Sequence, residues 1–111
     1  MVTPTERPGC HHVYHQYTVR VPAAGSDSSQ ERDRLAAHLE QAGVQTAVHY
    51  PTPVHRQPLY LGLGYDDDLP VAERLGREVL SLPVHPALTP DDLATIVSAV
   101  NRAPVAAGDA P

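Results

Sequence analysis

Pro51, Pro53 and Pro58 bar both a strand ladder and a regular helix from the middle of this chain, because each lacks a backbone N–H and fixes its own φ. They fall in the stretch Val44-Gln45-Thr46-Ala47-Val48-His49-Tyr50-Pro51-Thr52-Pro53-Val54-His55-Arg56-Gln57-Pro58-Leu59-Tyr60. A short β-branched run therefore stops at His49, and an irregular loop follows with room for at most one helical turn around Gln57 to Leu61. His49 and Tyr50 sit where a buried strand ends, a place from which side chains commonly meet a ligand. His55, Arg56 and Gln57 add donors and acceptors shortly after. A rigid connector whose polar groups satisfy one another would use the same residues, so spacing alone leaves both roles open.

The scaffold around this loop is small. A chain of 111 residues makes one domain that buries about two thirds of its unfolded surface. It contains no Phe or Trp, so Val, Leu, Ala and Tyr must build the core. A formal charge of −5 and a pI near 5.7 provide no basic field for nucleic acid or an anionic membrane. The apolar runs are far shorter than the roughly 20 residues of a membrane span, and no basic-then-apolar leader opens the chain, which predicts a cytoplasmic protein. Cys10 is the sole cysteine, so neither an internal disulfide nor a thiolate cluster can form. All eight basic residues are arginine. Chemistry that needs a lysine amine is closed to these residues.

Alternation predicts a strand over Val13–Val21, with Val13, His15, Tyr17, Val19 and Val21 on one face. Ser28 and Glu31 fit a capping box for a helix running to about Ala42, where Gly43 stops it. Leu35, Ala36, Leu39 and Ala42 form its apolar stripe, while Glu31, Arg32, Arg34, His38 and Glu40 are expected in water. Val44–Val48 reads as a second strand. A second helix starts near Pro70 with the stripe Val71, Ala72, Leu75 and Val79. Leu80–Val84 reads as the third strand, kept short by Pro83 and Pro86. Thr89-Pro90-Asp91-Asp92 starts a last helix with the stripe Leu93, Ile96, Val97 and Val100.

This order predicts an α/β (α+β) domain over residues 13–102, a small three-stranded sheet with about three helices on one face. The opposite face would need a partner. Residues 1–12 form a flexible lead-in and residues 103–111 a disordered tail.

The seven histidines do not make a metal site at these spacings. On a strand His11 and His15 would lie roughly 13 Å apart, at about 3.3 Å per residue. Asp66, Asp67 and Asp68 suit the start of a helix better than a calcium loop, and no Gly-x-Ser-x-Gly turn presents a nucleophile.

Five segments are similar, in register, to one family. They are Val13-Tyr14-His15-Gln16-Tyr17-Thr18-Val19-Arg20, Arg32-Asp33-x-Leu35, Gly43-Val44-x-Thr46, His49-Tyr50-Pro51-x-Pro53-x-His55-x-Gln57-Pro58-x-Tyr60 and Leu80-Ser81-Leu82-Pro83-x-His85-Pro86-x-Leu88-Thr89. The chain resembles the C-terminal small domain of the DegT/DnrJ/StrS sugar aminotransferases, pyridoxal-phosphate enzymes of aspartate-aminotransferase fold (fold type I). The resemblance spans Val13 to Arg102. It implies a dimeric enzyme that moves an amino group from glutamate to a keto-sugar nucleotide, with the cofactor held on a lysine of a large N-terminal domain. That domain has no counterpart here, so the chain is expected to be inactive alone and to need the large domain or a homologous subunit as partner.

The resemblance puts His49 and Tyr50 on the sugar-nucleotide side, with His55 and Arg56 lining the same entrance. It assigns no catalytic, cofactor or metal residue. His15 and Tyr17 are expected to pack the sheet. A free-standing, non-catalytic binding module that retains the fold is the alternative.

Overall fold

The computed structural model describes residues 1–22 and 29–104. The expected Ser28 cap and residues 105–111 of the expected tail lie outside the described residues. In chain order the elements are β1 (Tyr17–Arg20), α1 (Ser29–Gln41), a 3-10 turn (Val54–Arg56), α2 (Pro58–Gly62), α3 (Pro70–Glu78), β2 (Val79–Leu82) and α4 (Pro90–Asn101).

β1 and β2 pair antiparallel, with Tyr17 opposite Leu82, Thr18 opposite Ser81, Val19 opposite Leu80 and Arg20 opposite Val79. Residues directly opposite share a face. Tyr17, Val19, Leu80 and Leu82 therefore point one way, and Thr18, Arg20, Val79 and Ser81 the other. The first face meets Leu35 and Leu39 of α1 and Ala99 of α4, and Val21 and Val44 close the core. Val19, Leu39 and Leu80 are fully buried. On the second face the Arg20 guanidinium donates to Glu78 Oε2 at 2.6 Å and 2.9 Å.

The mixed α/β composition is as expected, but the sheet has two strands rather than three. Val44–Val48 contributes one bridge, in which the Ser81 amide donates to Ala47 O (2.7 Å) and the Ala47 amide to Ser81 O (3.1 Å). The reason lies at the end of α1. Gly43 takes a left-handed φ of 79°, its amide donates to Glu40 O (2.9 Å), and the Val44 amide reaches back to Leu39 O (2.8 Å). These two bonds are a Schellman closure, completed by contact between Val44 and Leu39 in the core. Val44 thus belongs to the helix stop, and the chain turns away again at His49.

The first strand is also shorter than alternation predicts. His12 Nδ1 accepts from the Tyr14 amide at 2.8 Å and Tyr14 takes φ 47°, so the chain turns there and Val13 is 77% exposed. At the other edge of β1, Val2 pairs with Arg20 through two backbone bonds of 2.8 Å.

Three α1 side chains expected in water are not fully there: Glu31 is half-buried beside Arg34, and two more turn inward. Arg32 is buried, and its guanidinium donates to Gly76 O at 3.2 Å and lies 3.5 Å from Val79 O, at the C-terminal end of α3. A cation is favoured there, where helix carbonyls lack partners. His38 is half-buried, its Nε2 3.1 Å from Ala99 O. The stripes shift too, because neighbours rather than period decide the buried side: Val71 on α3 and Leu93 and Val97 on α4 are exposed, while Gly76 and Ala99 are buried. The α4 cap forms as read, with the Thr89 amide donating to Asp92 Oδ2 (2.8 Å) and the Asp92 amide to Thr89 Oγ1 (3.2 Å).

Gly76 sets how closely α3 approaches the loop. A Cβ added there would sit 3.0 Å from Pro51 O and 3.4 Å from Tyr50 O. Both are backbone atoms and cannot swing aside. Gly76→Val is therefore expected to lower stability by about 1–3 kcal/mol, the usual cost of overpacking, read as a lower urea midpoint with an unchanged slope.

Candidate functional site

Past the Ala47 bridge the chain leaves the sheet on its second face. His49 follows, its Nδ1 3.2 Å from Ser81 Oγ, which also lies 3.0 Å from Thr18 Oγ1. The Tyr50 ring stands edge-on to His49, centroids 5.4 Å apart at 84°, and is 71% exposed. Gly76 lets α3 lie against the Tyr50-Pro51 backbone.

The loop then curls inward. The Arg56 amide donates to Pro53 O (2.9 Å) and the Gln57 amide to Val54 O (3.1 Å), closing the 3-10 turn. This turn buries His55, whose Nε2 lies 3.1 Å from Glu73 Oε1 on α3. Arg56 Nε donates to the same oxygen at 2.8 Å, and its Nη1 to Asp66 Oδ1 at 2.8 Å. Gln57 Nε2 donates to Thr52 O at 3.2 Å. Hydrogen bonds from His55 and then Arg56 hold the Glu73 carboxyl below the usual Glu range. Glu73 in turn raises the Arg56 guanidinium, chiefly by hydrogen bonding.

The fold thus separates the four site residues read from the sequence. His49 and Tyr50 present exposed rings, while His55 and Arg56 are engaged with α3 and the segment before it. Sequence reading missed Glu73, whose stripe position marks it only as polar, and Ser81, which anchors His49 from a strand 32 residues away. It also assigned His15 to sheet packing. His15 is exposed and lines, with His49, Ser81 and His85, a groove of about 740 Å³ between the end of β2 and the start of α4. Among the described residues no three His, Cys, Asp or Glu side chains cluster to hold a metal ion, and no helix is long and apolar enough to cross a membrane.

A second surface flanks the site. Tyr50, Val54, Leu59, Tyr60, Leu61, Leu63, Tyr65, Leu69 and Val71 are all exposed, a density of apolar groups unusual for a solvent face.

Residues 1–101 match the model of the DegT/DnrJ/EryC1/StrS aminotransferase family. The chain belongs to this family. Within it, the chain is similar to the pleiotropic regulatory protein of Geobacillus stearothermophilus, 42% identical over 101 residues that make up 90% of this chain and 25% of that protein. It is 38% identical over 100 residues to the dTDP-3-amino-3,4,6-trideoxy-alpha-D-glucose transaminase of Streptomyces venezuelae, covering 89% of this chain and 24% of the relative. Among solved structures it resembles S. venezuelae DesV in complex with a ketimine intermediate, with a TM-score of 0.76 and 37% identity over 89% of this chain and 25% of that one. The chain spans about a quarter of the length of these DegT/DnrJ/EryC1/StrS relatives.

The lowered Glu73 carboxyl gives the site a pH signature. A carboxylate depressed by folding adds stability above its unfolded pKa, about 4.3, and loses it as pH falls through the folded value. Glu73→Gln should therefore be less stable than the parent at neutral pH. Urea midpoints should converge as pH falls below about 4; a gap that stays constant into acid would mean that the Glu73 charge does not fasten the loop.

Proposed function

We infer that this chain forms the small-domain part of a sugar-nucleotide transaminase, active when joined to a large domain that carries pyridoxal phosphate. The observation that carries this reading is the family match across residues 1–101 in a chain with no lysine. Pyridoxal phosphate supplies an electron sink for amino transfer and is tethered through a lysine amine. These 111 residues offer no such amine, so they do not fit the cofactor on their own. Their part is to bind and orient.

In this reading the cofactor domain covers the exposed apolar run from Tyr50 to Val71, and the loop forms one wall of the pocket that opens between the two. His49 and Tyr50 point toward the sugar nucleotide. His55 and Arg56 belong to the same wall, and through Glu73 and Asp66 they fix the loop that presents His49. Glutamate as amino donor and a keto-sugar nucleotide as acceptor are what the family resemblance implies, and the name of the S. venezuelae transaminase supports a sugar nucleotide as the substrate class.

The test is complementation. The chain is mixed with the separately produced lysine-bearing portion of a family member, and the bound-cofactor absorbance and amino transfer from glutamate are followed. Both should be present in the mixture and absent from the chain alone. Failure to associate, with no activity, would leave the fold as a free-standing binding module. In the active mixture, His49→Ala should raise KM for the sugar nucleotide about tenfold with a smaller effect on kcat, as expected for a lost binding contact of about 1.4 kcal/mol.

A further inference from the structure

A row of polar side chains on the second face of the sheet leads to the loop. Thr18 and Ser81 stand opposite each other across β1 and β2, and Ala47 stands opposite Ser81 across the bridge on the other side. Residues opposite one another share a face. The two hydroxyls meet, Thr18 Oγ1 lying 3.0 Å from Ser81 Oγ. Ala47 brings only a methyl group, so the Ser81 hydroxyl reaches past it to His49 Nδ1 at 3.2 Å. Thr18 is half-buried, Ser81 buried and His49 exposed, so the row carries from inside the sheet to the surface.

Counting hydrogens gives the row a direction. Each hydroxyl has one hydrogen to donate, and a neutral imidazole carries its hydrogen on one ring nitrogen only. Among the described residues Thr18 Oγ1 is bonded to Ser81 Oγ alone. If Thr18 donates to Ser81, then Ser81 donates to Nδ1 and the ring hydrogen sits on Nε2, with both hydroxyl hydrogens used. In the opposite direction Nδ1–H donates to Ser81 and Ser81 to Thr18, which leaves the Thr18 hydrogen with no acceptor among the described residues. A half-buried donor left without an acceptor makes that direction the costlier one.

We propose that Thr18 and Ser81 are positioning residues that hold neutral His49 with its hydrogen on Nε2, so that Nε2 meets a substrate oxygen as a hydrogen-bond donor and not as a base. Thr18, on the far strand, acts on His49 only through Ser81. That a substrate is there to be met rests on the transaminase reading above. The tautomer does not.

Imidazole nitrogen shifts of the 111-residue chain read the tautomer directly at pH 8, where an ordinary imidazole is neutral. His49 is expected to show a protonated Nε2 and a bare Nδ1. Thr18→Val keeps the branched shape and removes the hydroxyl, and the Nδ1–H fraction of His49 should then rise about fivefold, the change in equilibrium that one ordinary hydrogen bond gives. Thr18→Ser keeps the hydroxyl and should retain the parent fraction, which separates the bond from packing. Ser81→Ala makes the same test without touching β1, and should bring His49 to the tautomer balance of a short histidine peptide. A His49 ring protonated mainly on Nδ1 in the parent would overturn the proposal, as would the parent fraction persisting in folded Thr18→Val or Ser81→Ala chains. Absence of amino transfer in the complementation assay would bear on the transaminase reading alone, because the tautomer is read in this chain by itself.

Discussion

The Arg32 guanidinium holds this small structure at its middle. It reaches from α1 to the carbonyls where α3 gives way to β2, a point at which three elements meet. Helix-terminal carbonyls need donors, and a buried arginine supplies several in a fixed plane. With α3 fixed there, Gly76 lies against the Tyr50-Pro51 backbone and Glu73 faces the 3-10 turn. The loop is thus shaped by contacts with α3 at both ends. Removing the charge from Arg32 would leave those carbonyls buried without a donor, a larger loss than that of an exposed ion pair.

Around that junction the apolar core is thin. Its buried members are Val, Leu and Ala, with no aromatic ring among them; Tyr17 packs against it half-buried, and three of the five tyrosines lie well away from it. Tyr50, Tyr60 and Tyr65 lie exposed on the loop, in α2 and just after it, Tyr60 and Tyr65 packing against each other with centroids 6.0 Å apart. Large rings contribute most when they are buried. Their placement on the surface, next to exposed leucines and valines, is what a domain would show if part of its apolar area were meant for another body. The radius of gyration, 15.8 Å, is likewise above the roughly 13 Å of a compact domain of this length.

Two sides of one loop carry different work. On the α3 side, His55 and Arg56 are committed to carboxylates, which gives the loop its shape. On the β2 side, His49 is held by one hydroxyl and its ring is exposed.

What the sequence alone determined is what nearest neighbours in the chain decide. The Thr89–Asp92 capping box, the Gly43 stop, Pro70 and Pro90 at helix starts and the proline-broken loop all depend on residues within a few positions of one another. The five segments that resemble the family were legible for the same reason, and the missing lysine excluded a chemistry outright. Tertiary structure decided the rest. Arg32 looked solvent-bound because its partner carbonyl is 44 residues away, as His38 did with a partner 61 residues away. The second strand shrank to a bridge because Val44 completes a helix closure, and the partners of His55 and Arg56 were hidden because Glu73 lies 18 and 17 residues further along the chain. Local rules place a charge in water; only the assembled fold can supply the buried acceptor that outweighs hydration.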